Sequence, residues 1–124
     1  MSSTKVAIIE DDIAISQMYR LKFETEGYEV QTADNGKIGL ELIEAFSPDI
    51  VLLDLMMPEM TGDEMLIELR KKPWGKDVLV IILTNMGEEE APVSLKSLHV
   101  HSFIVKAEMT PRQVAERVKA ALPG

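Results

Sequence analysis

Val6-Ala7-Ile8-Ile9-Glu10-Asp11-Asp12 sets four apolar residues directly against three acids. A strand covered on both faces shows no polar alternation, so an abrupt join of this kind marks where such a strand leaves the core. The join recurs along the chain. Ile50-Val51-Leu52-Leu53 ends in Asp54, Val78 to Leu83 ends in Thr84, and Phe103-Ile104-Val105 ends in Lys106. Tyr28 to Thr32 alternates apolar with polar residues and reads as an edge strand.

Helical periods fill the intervals. From Asp12 to Glu26, Ile15, Met18 and Leu21 recur at helical spacing, Tyr19 and Phe23 widen the stripe, and Gly27 closes it. Gly36 to Phe46 repeats the pattern through Leu40 and Ile43 until Ser47-Pro48 forces the chain out. Thr61 and Glu64 stand at capping-box spacing before a third helix that carries Met65, Leu66 and Leu69 inward. A fourth, weaker segment spans about Ala91 to Ser97, with Pro92 in its first turn. Thr110, Pro111 and Gln113 open a fifth helix that buries Val114, Val118 and Leu122. Strands alternating with five helices predict an α/β domain built on a parallel sheet.

At 124 residues the chain fits one domain, and 46% hydrophobic with 27% charged residues is an ordinary globular balance. Thirteen Lys and Arg against 21 Asp and Glu give a net charge of −8, which repels a phosphate backbone or an anionic membrane surface. No direct nucleic-acid or membrane partner is expected. The absence of cysteine removes disulfide frameworks and thiolate chemistry. The longest apolar run has six residues, Val78 to Leu83, where a spanning helix needs about 20. With only four apolar residues near the start, no signal peptide is read, and the expected location is cytoplasmic.

In an open α/β sheet the reactive groups lie beyond the carboxyl ends of the strands. Those positions hold Glu10 and Asp11 after the first strand, Asp54 after the third, Thr84 after the fourth and Lys106 after the fifth. Carboxylates crowded there cannot all remain ionised without a cation, and an oxygen-only set favours a hard ion such as magnesium. Lysine then remains for an anion. Asp12 reads as a helix cap. Each of the others has an ordinary explanation taken singly, as a turn residue, a satisfied hydroxyl or a solvated charge. Their coincidence at one sheet edge outweighs those explanations.

At these residues the chain resembles the receiver domain of bacterial two-component response regulators. The resemblance is carried by Ile8-Ile9-Glu10-Asp11-Asp12, by Pro48-Asp49-Ile50-Val51-Leu52-Leu53-Asp54-Leu55-Met56-Met57-Pro58, and by Gly62, Thr84 and Lys106. It implies a flavodoxin-like, doubly wound five-stranded parallel sheet in the order 2-1-3-4-5, with residues 1–124 forming a single receiver and no output domain. It also implies a stand-alone phosphoacceptor rather than an enzyme acting on other molecules. Asp54 would take a phosphoryl group from a phosphohistidine on a histidine kinase or phosphotransfer protein. Mg2+ would be held by Asp11, Asp54 and the backbone carbonyl of Met56, with Glu10 acting through water. Lys106 and Thr84 would meet phosphoryl oxygens, and movement of Thr84 would turn Phe103 inward as a switch. Helix one and the loop after Lys106 would face the donor. The face of helix four, strand five and helix five would face a target protein or a second copy. The alternative is a receiver-like interaction domain that is not phosphorylated.

Two positions depart from the family pattern. Lys106 is followed by Ala107 where a cis proline is usual, and a cis bond before a residue other than proline costs about 2.5 to 4 kcal/mol, so a trans bond is expected. His99 replaces a glycine before strand five. His99 and His101 read as surface residues, Trp74 as packing in the basic turn Lys71 to Lys76, and Met60 and Met109 as the exposed methionines among eight.

Overall fold

The computed structural model describes residues 3–123. Five strands, β1 (Lys5–Ile9), β2 (Glu29–Ala33), β3 (Ile50–Leu53), β4 (Val80–Thr84) and β5 (Ser102–Val105), form one parallel sheet in the order β2-β1-β3-β4-β5. The expected α/β class and strand order are both present. Four α-helices cover it: α1 (Ile13–Thr25), α2 (Gly36–Phe46), α3 (Gly62–Lys71) and α4 (Pro111–Ala121).

Side chains alternate across each strand and so divide the interior in two. Ala7, Ile9, Val51, Leu53, Val80 and Ile82 meet Ile43 and Phe46 of α2 and Met65, Leu66 and Leu69 of α3. Val6, Ile8, Ile50, Leu52, Ile81 and Ile104 meet Tyr19 and Phe23 of α1 and Val114 and Val118 of α4.

The expected caps form. Asp12 Oδ1 accepts the Ile15 N–H at 3.1 Å, and capping boxes are present at Thr61 with Glu64 and at Thr110 with Gln113. The buried face of α1 differs from the predicted stripe. Ser16, Tyr19 and Phe23 point inward, whereas Met18 and Leu21 face solvent. Tyr19 and Phe23 fill the core on this side with Ile15 packed half-buried against it, while Ile13, Met18 and Leu21 are left on the outside.

The fourth predicted helix is also absent as such. Glu88–Glu90 and Val93–Ser97 form two separate 3-10 turns, so there are four α-helices among the described residues rather than five. Pro92 supplies no N–H and divides the segment, leaving i→i+3 bonds such as Leu95 N–H to the Pro92 carbonyl at 3.2 Å. Leu122, predicted buried, is half-buried because it lies past the end of α4. Met60 and Met109 are half-buried, and the exposed methionines among the described residues are Met18 and Met56.

His99 holds a left-handed backbone, with φ +56°, in place of the usual glycine. Arg70 on α3 meets this strain from below. Its guanidinium donates to five carbonyl oxygens, those of Gly75, Lys76, Val78, Leu98 and His99, at 2.8 to 3.2 Å. One side chain thereby ties the end of α3 to the turn before β4 and to the approach to β5. No described peptide bond is cis, so Lys106–Ala107 is trans.

Candidate functional site

Backbone pairing brings the strand ends level. Asp54 N–H donates to the Ile9 carbonyl at 3.0 Å, and Glu10 N–H donates to the Ala33 carbonyl at 2.9 Å. α3 presses close behind Asp54, where Gly62 N–H donates to the Leu55 carbonyl at 3.0 Å. A Cβ on Gly62 would lie 2.1 Å from the Asp54 carbonyl oxygen, so only glycine fits there.

Four of the predicted residues converge. Carboxylate oxygens of Glu10, Asp11 and Asp54 all lie within 4.8 Å of one another, with Glu10 and Asp54 buried and Asp11 exposed. Lys106 extends from the end of β5 into this group and donates to Asp54 Oδ2 at 3.1 Å and to Glu10 Oε1. The second oxygen of each buried acid takes a backbone amide: Asp12 N–H reaches Glu10 Oε2 and Met56 N–H reaches Asp54 Oδ1, both at 3.1 Å. Thr84 is fully buried at the end of β4, and its Oγ1 accepts the Met86 N–H at 3.4 Å. It makes no described hydrogen bond to Asp54 or Lys106.

Phe103 is half-buried and pairs in register with Ile82, two residues before Thr84, so Phe103 and Thr84 lie on the same face of the sheet. Met56 projects into solvent beside Asp54. Its carbonyl makes no described hydrogen bond.

Burial pushes the Glu10 carboxyl up to about 7; the bonds from Lys106 and Asp12 and the Lys106 charge oppose the rise, and the nearby Asp54 charge adds to it. Burial pulls Lys106 down, but its bonds to Glu10 and Asp54 and their charges outweigh that, and its pKa is raised. The ammonium is therefore the cation that neutralises the acids in this structure. An oxygen-only carboxylate cluster, partly open to solvent through Asp11, is a donor set that suits Mg2+.

One residue escaped the sequence reading. Tyr19, placed there only in an apolar stripe, is buried close enough to the site for its phenol, raised mainly by burial, to feel Lys106 and Glu10. A tyrosine two turns after an acidic strand end was the only available signal.

Residues 6–119 match the family model described as the response regulator receiver domain. The phosphate regulon transcriptional regulatory protein PhoB of Rhizobium meliloti is 36% identical over 118 residues, which is 95% of this chain and 52% of that protein. This chain spans about half the length of the curated relatives it matches. Among solved structures, chemotaxis protein CheY4 of Vibrio cholerae superposes with a TM-score of 0.89 at 27% identity, covering 98% of this chain and 100% of that one. Response regulator TrrA of Thermotoga maritima, solved in complex with Mg2+ and BeF, superposes at 0.83 with 29% identity, covering 96% and 99%. No helix among the described residues is long and apolar enough to cross a membrane.

Proposed function

The chain belongs to the response regulator receiver family, a phosphoacceptor signalling module rather than a classical enzyme, and on that footing we propose that Asp54 is its phosphoacceptor. An Asp54 carboxylate oxygen attacks the phosphorus of a phosphohistidine on a histidine kinase or phosphotransfer protein. The P–N bond breaks, its electron pair returns to the imidazole, and an aspartyl phosphate remains. The observation that carries this reading is the convergence of Glu10, Asp11 and Asp54 with the Lys106 ammonium at one sheet edge.

Asp11, Asp54 and the Met56 carbonyl would hold Mg2+, with Glu10 reaching it through water. When bound, the ion neutralises charge on the acceptor and phosphoryl oxygens. The chain's own groups supply the rest. The Met56 N–H fixes one Asp54 oxygen and leaves the other on Lys106, whose ammonium passes to a phosphoryl oxygen once the group arrives. Thr84, having only a long bond to Met86 N–H, donates its hydroxyl to another, and Phe103 on the same sheet face follows its movement.

The donor docks at the outer face of α1, where Ile13 and Leu21 are 67% and 65% exposed, and at the loop after Lys106. The signal leaves through the face made by residues 88–98, β5 and α4, towards a target protein or a second copy. The setting is the cytoplasm, where such donors act.

Incubation with Mg2+ and acetyl phosphate tests the reading by intact mass. One acid-stable, base-labile phosphoryl group, lost in Asp54→Asn, is expected. No uptake by the parent chain, or undiminished uptake by the variant, would overturn it.

A further inference from the structure

We propose that Met56 is an oxidation site of this domain, and that its sulfoxide shortens the life of a phosphoryl group on Asp54. The second half rests on the phosphoacceptor reading above.

Met56 is 57% exposed, more than any other described methionine, while Met57 and Met65 in the same region are 7% and 0% exposed. Exposure alone would make it an ordinary oxidation target; its position makes it a consequential one. The Met56 N–H is bonded to Asp54 Oδ1 at 3.1 Å, so the residue is fixed beside the acceptor. With Asp11 and Met86 it lines an open cleft of about 760 Å³. An oxidant entering from solvent therefore meets this thioether at the mouth of the site.

The oxidant is hydrogen peroxide. A sulfur lone pair attacks one peroxide oxygen, the O–O bond breaks, an S–O bond forms, and the departing hydroxide takes a proton to leave as water. Sulfur loses two electrons and the peroxide gains them. A thioether is a weak acceptor, whereas a sulfoxide carries a strongly polar oxygen. The cleft already carries Asp11, Thr61, Asp63 and Glu64, and the sulfoxide adds a strong acceptor on the wall that Met56 and Met86 otherwise leave without one; water held there is what hydrolysis of an aspartyl phosphate requires.

The test treats the whole chain with limiting hydrogen peroxide and maps sulfoxides by peptide mass spectrometry. Phosphoryl loss is then followed after loading with Mg2+ and acetyl phosphate, for the parent, Met56→Leu and Met18→Leu, each against its own unoxidised form. Met56 should be oxidised several-fold faster than Met57 and Met65. Phosphoryl loss should become several-fold faster in oxidised parent and oxidised Met18→Leu, and stay unchanged on oxidation of Met56→Leu. Oxidation of Met56 no faster than that of Met57, or an unaltered rate in the oxidised parent, would overturn the proposal. Failure of the unoxidised chain to accept a phosphoryl group would overturn the phosphoacceptor reading and the lifetime claim with it, while the mapping still decides the oxidation site.

Discussion

Lys106 Nζ lies 3.1 Å from Asp54 Oδ2, across the full width of the sheet half that separates β5 from β3. The same ammonium also contacts Glu10, so one side chain from the edge strand satisfies buried acids on two central strands. Removing it leaves both without a cation, a change that costs about 3 kcal/mol in buried pairs. Lys106→Met should lose about that much stability in chelator at neutral pH and regain part of it in Mg2+. Urea unfolding with and without the metal checks this, and equal stability of parent and variant would contradict it.

Glu10 sets the acid-side behaviour. Its folded pKa is raised from 4.5 to about 7, chiefly by burial, so between those values the folded protein keeps a proton that the unfolded chain has released. Its contribution is fully present below 4.5 and lost as pH rises through about 7. The stability difference between parent and Glu10→Gln, measured in chelator, should therefore shift against the parent over that window. A constant difference would show that Glu10 titrates normally.

Asp11 is exposed and meets no described cation, yet it faces two buried acids. Asp11→Asn should weaken Mg2+ binding and phosphorylation while leaving the fold intact or slightly more stable, because one repelling charge is gone. Calorimetric titration with Mg2+ decides this; parental affinity in the variant would exclude Asp11 as a ligand.

Arg70 serves five carbonyls with a planar fork that lysine lacks. Arg70→Lys should destabilise the domain by about 2 to 3 kcal/mol, the scale of losing charged hydrogen bonds to part-buried acceptors. Hydrogen exchange at residues 97–102 should rise with it. Exchange there at the parental rate would remove Arg70 as the anchor.

Met56 and Met86 line a cleft that Asp11 shares, with Met56 bonded through its N–H to Asp54, and neither thioether offers a strong hydrogen bond to water. Phosphoryl loss should accordingly be slow, and Met56→Asn with Met86→Glu should speed it by roughly 10-fold to 100-fold by orienting an attacking water. An unchanged rate would mean that neither side chain governs access.

Much of this arrangement was legible in the chain. The joins at Ile9-Glu10 and Leu53-Asp54 placed two strand ends and their acids together, because doubly covered strands announce their limits. The strand order came through the family resemblance. Local pattern could not tell which side of α1 would be buried, since Met18 and Leu21 obey helical spacing as well as Tyr19 and Phe23 do, and only the space above the sheet chooses between them. Ala91 to Ser97 looked helical because proline is tolerated in a first turn; the chain instead forms a 3-10 turn over Val93–Ser97, parted from a second one at Glu88–Glu90 by Ala91-Pro92. Arg70 gave no signal at all, because its five acceptors are backbone atoms that any sequence supplies.

Among the described residues the buried interior divides into two clusters, one on each side of the sheet. Tyr19 and Phe23 of the helix proposed to seat the donor belong to one half, and Ile82 and Phe103, beside the proposed switch, to the other. The five strands act as a bulkhead: residues 88–98 and Phe103 can rearrange on one side while α1 keeps its grip on a donor on the other, and α4, packed beside α1, is the one output element that shares the donor's side.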